Sequence, residues 1–300
     1  MATSKRVQFK SGPWLLVGDL YLPEEDLSSP KAGLVFSGPF TGVKEQVTGL
    51  YARRLAEQGW VCLAFDHRHF GESEGEPRQH EDSAGKLTDL AAAVSFLRQQ
   101  AEVDPERIGA CGICLGTSYV LKFAAFDPRV KAIALIAGAY NSPHTMRRLM
   151  GSERYRERLA HFAHTREQYW QTGELPYIPA VAETGAAAMP GAEPYEYYGT
   201  ARSASPHWVN QVTTLSTYEL ITLEAAAAAD FIAPTPMLMV HGQVDAYCSP
   251  ESAQATYERA GEPKKLVWLP THNHIDLYDV EDYVGPAVAE TAHWFQTYLG

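Results

Sequence analysis

In this 300-residue chain, Cys114, Asp245 and a histidine at position 272 or 274 are the residue types that together could carry nucleophilic catalysis. Cys114 lies in Gly112-Ile113-Cys114-Leu115-Gly116, between a predicted strand and a predicted helix. This is the nucleophile-elbow pattern G-x-S-x-G with cysteine in place of serine. A nucleophile there occupies a strained strand-to-helix turn, so its flanking positions must be small for the backbone to close. The helix that follows points its N-terminus at the turn, which favours a thiolate and a developing oxyanion. Such a nucleophile needs a base and a group that orients the base. Asp245 ends His241-Gly242-Gln243-Val244-Asp245 after one apolar run, and Pro270-Thr271-His272-Asn273-His274 follows the next. The order Cys, Asp, His, each at the carboxyl end of a predicted strand, fits covalent acyl transfer.

Other residues compete for attention. Gly71-Glu72-Ser73-Glu74-Gly75 matches the serine form of the pattern literally. Pro77 and the polar stretch to Asp82 deny it the required helix, and two glutamates would oppose charge developing on Ser73. Cys111-x-x-Cys114 has redox spacing but lacks the surrounding thioredoxin-like pattern. His161 and His164 sit three apart on a predicted helix without an evident third ligand, so no metal is expected, and acyl transfer needs no organic cofactor. His67 and His69 follow Asp66 at a strand end, where His67 is a candidate for touching substrate. Lys44 and Glu45 read as residues that fix a loop and a helix start.

The elements that must position these groups alternate. Val7–Phe9 and Leu15–Leu22 read as antiparallel strands joined at Gly12-Pro13, and strand patterns follow near Gly33, Trp60, Arg107 and Val130. Helical patterns cover Tyr51–Gln58, Leu87–Leu97 and Leu115–Ala125. The alternation resumes at Pro236 with a helix (Glu251–Ala260), a strand (Lys265–Leu269) and a closing helix (Val284–Tyr298). Strands separated by helices predict βαβ units and a parallel sheet, hence an α/β fold. The predicted core is 1–140 and 234–300. The segment 141–233 is predicted as a helical insertion, with aromatics including Tyr169, Trp170 and Trp208. These either fill a small core of their own or form a lid over the carboxyl end of the sheet, where open α/β sheets bind ligands.

Composition narrows the function. With 25 Lys+Arg against 36 Asp+Glu the net charge is −11, and without a basic run a nucleic-acid partner is not expected. No apolar stretch approaches the ~20 residues of a membrane span. The first residues show no secretory h-region, and four cysteines do not make a disulfide framework. A cytoplasmic protein with reduced thiols is expected.

Several segments carry a family resemblance: Gly42-Val-Lys-Glu-Gln46, the Tyr51–Gly59 helix, Asp66 with Gly71-Glu-Ser73, Cys114 in its elbow, Asp245, and His274-Ile-Asp-Leu-Tyr-Asp279. Over about 30–140 and 234–300 the chain resembles α/β-hydrolases of the dienelactone-hydrolase-like group with a cysteine nucleophile, and is similar to fungal polyketide transferases. Thr117 departs from the glycine that dienelactone hydrolases carry there. The resemblance implies that His274, rather than His272, is the base. It also implies an oxyanion hole made by the backbone N–H of Leu115 and one from the Gly38–Thr41 loop, where Pro39 has none and Phe40 is the candidate. The expected activity is hydrolysis of thioesters, lactones or activated esters of a bulky apolar acyl group, carried on a small molecule, coenzyme A or a carrier protein. An acyltransferase passing the group to an alcohol or amine, and a non-catalytic ligand-binding protein, are the rival readings.

Overall fold

The computed structural model describes residues 2–24 and 29–300. Eight strands form one sheet: β1 (Thr3–Ser11), β2 (Trp14–Leu22), β3 (Lys31–Ser37), β4 (Val61–Phe65), β5 (Val103–Ile113), β6 (Val130–Ile136), β7 (Met237–Gly242) and β8 (Lys264–Leu269). Their spatial order is β1-β2-β4-β3-β5-β6-β7-β8. β2 pairs antiparallel with both β1 and β4, and the remaining pairs are parallel. The mostly parallel sheet expected from the alternation is therefore present.

The central strands read as continuous apolar runs because helices cover both faces of the sheet. On one face, Leu34, Phe36, Cys62, Cys111 and Leu238 pack with residues of α1 (Val47–Ala56) and α10 (Glu281–Leu299). On the other, Val35, Leu63, Ala110, Ile133 and Met239 pack with α2 (Ser83–Leu97), α3 (Gly116–Ala124) and α8 (Pro250–Arg259). Alternate residues of one strand thus serve opposite layers, as the pleat requires. The Asp82 carboxylate accepts the Gly85 N–H at 2.8 Å and starts α2.

Element ends differ from the sequence expectation where backbone pairing outruns the apolar pattern. β1 begins at Thr3 rather than Val7, because exposed Thr3–Arg6 continue the ladder with β2. Similarly, α1 starts at Val47 and α10 at Glu281, each ahead of the first strongly apolar turn.

Between β6 and β7 the chain forms α4 (Pro143–Met150), α5 (Ser152–Thr172), α6 (Ala192–Tyr198) and α7 (Ser216–Thr222), together with short two-residue strands. Tyr155, Phe162, Leu215 and Ile221 make a small separate core there. Arg202 bridges this segment to Asp279 with bonds of 2.8 and 2.6 Å, and Gln46 Nε2 donates to the Ser203 carbonyl at 3.1 Å. No helix among the described residues is long and apolar enough to cross a membrane.

Candidate active site

Cys114 stands at the end of β5 with φ +53°, in the left-handed region that residues other than glycine rarely adopt. Its neighbours explain how that turn closes. A Cβ on Gly112 would lie 2.6 Å from Thr117 Cα, and one on Gly116 would overlap the Ser37 carbonyl oxygen. Both glycines are required for the elbow to sit between β3 and α3. The Cys114 amide donates to Ile136 O at 3.0 Å, and its carbonyl accepts from the Thr117 and Ala139 amides and the Thr117 hydroxyl (2.7 Å). Thr117, the departure from glycine, thus pins the turn.

The loop after β7 supplies Asp245. Its Oδ1 accepts the amides of Tyr247 (2.9 Å) and Cys248 (2.7 Å), which folds the loop back on itself. Its Oδ2 lies 2.6 Å from His274 Nδ1. Burial opposes the charge, but the bond from His274 and its positive charge hold the Asp245 carboxyl below its usual range. His274 is buried, and the Glu193 carboxylate at the start of α6 accepts the amides of His274 (2.6 Å) and Ile275 (3.2 Å). The segment between β6 and β7 therefore helps hold the histidine loop.

Two further groups at this site were not read from the sequence as site residues, although Tyr278 lies inside the His274–Asp279 stretch. Cys248 Sγ is 3.8 Å from Cys114 Sγ and 3.9 Å from His274 Nε2. Tyr278 Oη is 3.0 Å from the same Nε2. Cys248 comes three residues after Asp245, so the Asp245 turn carries its thiol toward Cys114. Tyr278 is four residues after His274, and the start of α9 (Asp276–Asp279) brings it back over the ring. The i, i+4 spacing was a usable signal for Tyr278; Cys248 offered only its closeness to Asp245.

These contacts set the charges. A hydrogen bond from the Cys248 thiol is the leading influence that holds the Cys114 thiol well below its usual range; burial opposes it, and His274 and Tyr278 assist. The same bond, with burial, pushes Cys248 well above its usual range. Burial favours neutral His274, but the Cys114 thiolate and Asp245 outweigh it and raise its pKa to about 10. The arrangement favours a thiolate–imidazolium pair, with Cys248 remaining a thiol that donates to the thiolate.

The Leu115 and Phe40 amides have no hydrogen-bond acceptor among the described residues, so both are free to donate to another oxygen. Trp208 reaches the same region: its Nε1 lies 3.4 Å from Thr41 Oγ1, and its ring stacks on Tyr198 at 5.5 Å. The buried hydroxyls of Tyr140 and Tyr198 also lack a partner among the described residues.

Other expected site residues lie elsewhere. His67 is buried, with Nε2 3.0 Å from Ser37 Oγ and Nδ1 3.4 Å from Asp89, so both ring nitrogens are committed to protein partners rather than substrate. Tyr169 and Trp170 lie in the last turns of α5, beyond the small core; Trp170 is 77% exposed and Tyr169 half-buried. Ser73 is buried, donating to Asp66 O at 2.6 Å and accepting the Val17 amide at 2.9 Å, which leaves it a structural role. His272 is exposed. Cys111 is buried in β5, and the thiol beside Cys114 is that of Cys248. Lys44, buried, bonds Asp66 (3.1 Å), Glu72 (2.6 Å) and Glu45, and fixes the loop after β3.

An eight-stranded, mostly parallel sheet with an elbow after β5 and an Asp–His pair after β7 and β8 defines an α/β-hydrolase. The family model described as serine aminopeptidase, S33, matches residues 45–281. An uncharacterized protein of Pseudomonas aeruginosa is 34% identical over 90% of this chain and 74% of its own length. A thiohydrolase of Aspergillus aculeatus is 31% identical over 87% of this chain and 83% of its own. The solved structure of an α/β-hydrolase from Penicillium superposes with a TM-score of 0.81 at 25% identity, covering 99% of each chain. The chain belongs to this α/β-hydrolase family and is an enzyme of the class that hydrolyses or transfers ester-linked acyl groups.

Proposed function

We propose that the chain transfers acyl groups through an acyl-cysteine intermediate, with Cys114 as nucleophile, His274 as its acid–base partner and Asp245 orienting the imidazole. The observation that carries this reading is the positive-φ Cys114 facing a His274 whose Nδ1 is 2.6 Å from Asp245. The thiolate attacks the acyl carbon, and oxyanion charge is taken by the Leu115 and Phe40 amides. Imidazolium at His274 gives its Nε2 proton to the leaving group. The neutral ring then takes a proton from water, which hydrolyses the thioester, or from an alcohol or amine acceptor.

Cysteine constrains the substrate. Thiolate attack on a thioester exchanges one C–S bond for another, whereas attack on a plain alkyl ester forms a less stable thioester and expels a poorer leaving group. Thioesters, strained lactones and activated esters are therefore the proposed substrates. The acyl group reaches the site on a small molecule, coenzyme A or a carrier protein. We assign 141–233 as a lid on the core 1–140 and 234–300, with Trp208 and Tyr198 against a bulky apolar acyl group. Transfer to an alcohol or amine is the second reading, favoured by the name of a relative: a polyketide transferase of Penicillium, 28% identical over 81% of each chain. A cytoplasmic location accords with four free cysteines.

The test is a panel of matched thioesters, lactones and alkyl esters, each with water alone or with added alcohols and amines. Preference for thioesters or lactones supports the reading, and the product formed separates hydrolysis from transfer. Efficient cleavage of plain alkyl esters with thioesters and lactones untouched would overturn it.

A further inference from the structure

The three donor atoms at the elbow have a spacing that acyl transfer does not require. Cys114 Sγ and Cys248 Sγ are 3.8 Å apart, Cys248 Sγ and His274 Nε2 are 3.9 Å apart, and all three atoms lie within 4.8 Å of one another. A tetrahedral zinc ion with ordinary bond lengths places two sulfur ligands about 3.8 Å apart, and a sulfur and a nitrogen about 3.6 Å apart. We propose that Cys114, Cys248 and His274 form a Cys2His site for Zn2+, and that the bound ion blocks the thiolate.

The surroundings suit the ion. Asp245, 2.6 Å from Nδ1, holds the imidazole with Nε2 toward the thiols, the carboxylate–histidine–zinc relationship that orients a ligand and strengthens it. Thiolate and imidazole are the donors that select zinc over magnesium or calcium. The fourth position falls to an oxygen, either water or the Tyr278 hydroxyl 3.0 Å from Nε2. On binding, the Cys248 thiol proton and the Nε2 proton leave to solvent, two Zn–S bonds and one Zn–N bond form, and no oxidation state changes. Glu45, Glu72 and His207 also converge, but Lys44 already pairs with both carboxylates and sulfur is absent. That cluster is the weaker competitor.

Zinc binding rests on geometry alone. Only the loss of turnover that follows from it depends on Cys114 being the nucleophile, so the two claims separate experimentally. Protein reduced with a non-chelating phosphine should bind one Co2+ per chain, with the tetrahedral ligand-field bands and the thiolate-to-cobalt charge-transfer absorption of a sulfur-containing site. Zn2+ should displace the cobalt and protect Cys114 from alkylation, read by peptide mass. Cys114→Ser and Cys248→Ser should each diminish the charge-transfer absorption, whereas Cys111→Ser should leave it intact. Asp245→Asn should weaken zinc binding by about 10–100-fold, which keeps the test open if a cysteine variant fails to fold. Absence of the charge-transfer band in reduced wild-type protein, or its full persistence in folded Cys248→Ser, would overturn the site. Zinc bound as described with turnover unaffected would support the site and overturn Cys114 as nucleophile.

Discussion

His274 Nδ1 lies 2.6 Å from Asp245 Oδ2, and this bond joins the loops after β7 and β8 into one unit. With the Cys114 thiolate it outweighs burial and raises the His274 pKa to about 10, while the Cys114 thiol is held well below its usual range. The proposed thiolate–imidazolium pair exists between those limits. Accordingly, kcat/KM for a thioester should be level across neutral pH and fall as pH rises through about 10. Asp245→Asn removes an influence that raises the histidine, so the alkaline fall should move to lower pH and the rate should drop by about 10⁴ if the wrong tautomer results. An ascending profile near the ordinary thiol range in the wild type would contradict the ion pair.

Cys248 is the leading influence on the Cys114 thiolate. In Cys248→Ala the S–H donor is gone, and the Cys114 thiol should titrate at higher pH. Iodoacetamide labelling, followed by peptide mass, should slow markedly at pH 6 and much less at pH 9. Equal slowing at both values would mean that the substitution blocks access and leaves acidity unchanged.

The elbow glycines make a structural prediction. A side chain on Gly116 meets the backbone carbonyl of Ser37, which cannot swing away as a flexible side chain would. Gly116→Ala should destabilise the fold by about 1–3 kcal/mol and disturb the Leu115 amide, lowering kcat together with Tm. Gly285→Ala, on α10 and facing only the end of Glu281, is the control that should leave kcat unchanged and should not lower Tm. Unchanged kcat and Tm in Gly116→Ala would show that the close approach is not needed.

Substrate contacts should divide the aromatics. Trp208, stacked on Tyr198 beside the Thr41 loop, should contribute to acyl binding, so Trp208→Ala should lower kcat/KM for a bulky acyl thioester more than for acetyl. Trp170, 77% exposed on α5, should be neutral to both. The same loss for both acyl groups in Trp208→Ala would limit that ring to a packing role.

What was legible in the sequence follows from how local its causes are. The glycines around Cys114 and the strand-to-helix pattern express a turn that closes within five residues, so both fold and elbow could be read directly. Asp245 and a histidine at 272 or 274 could be read from their places after two apolar runs, and the choice of His274 came from the family resemblance of the stretch that it begins. Cys248 could not, because its position depends on the Asp245 carboxylate bonding its amide at 2.7 Å. Glu193 was hidden for a different reason: it reaches His274 across 81 residues of chain. His67 looked accessible at a strand end, yet Ser37 and Asp89 occupy its nitrogens, and burial by distant elements leaves no mark on the local sequence. Likewise Tyr169 and Trp170 share the helical spacing of Tyr155 and Phe162 but lie beyond the part of α5 that packs.

Intact-mass spectrometry after brief exposure to an activated acyl thioester is the decisive measurement for Cys114 as the nucleophile. The wild-type chain should gain one acyl mass, mapped to Cys114 and removed by hydroxylamine. The same adduct should form in Ser73→Ala and His272→Ala, and none in Cys114→Ala. An adduct that persists in folded Cys114→Ala, or one that maps to Ser73 in the wild type, would contradict Cys114 as the nucleophile.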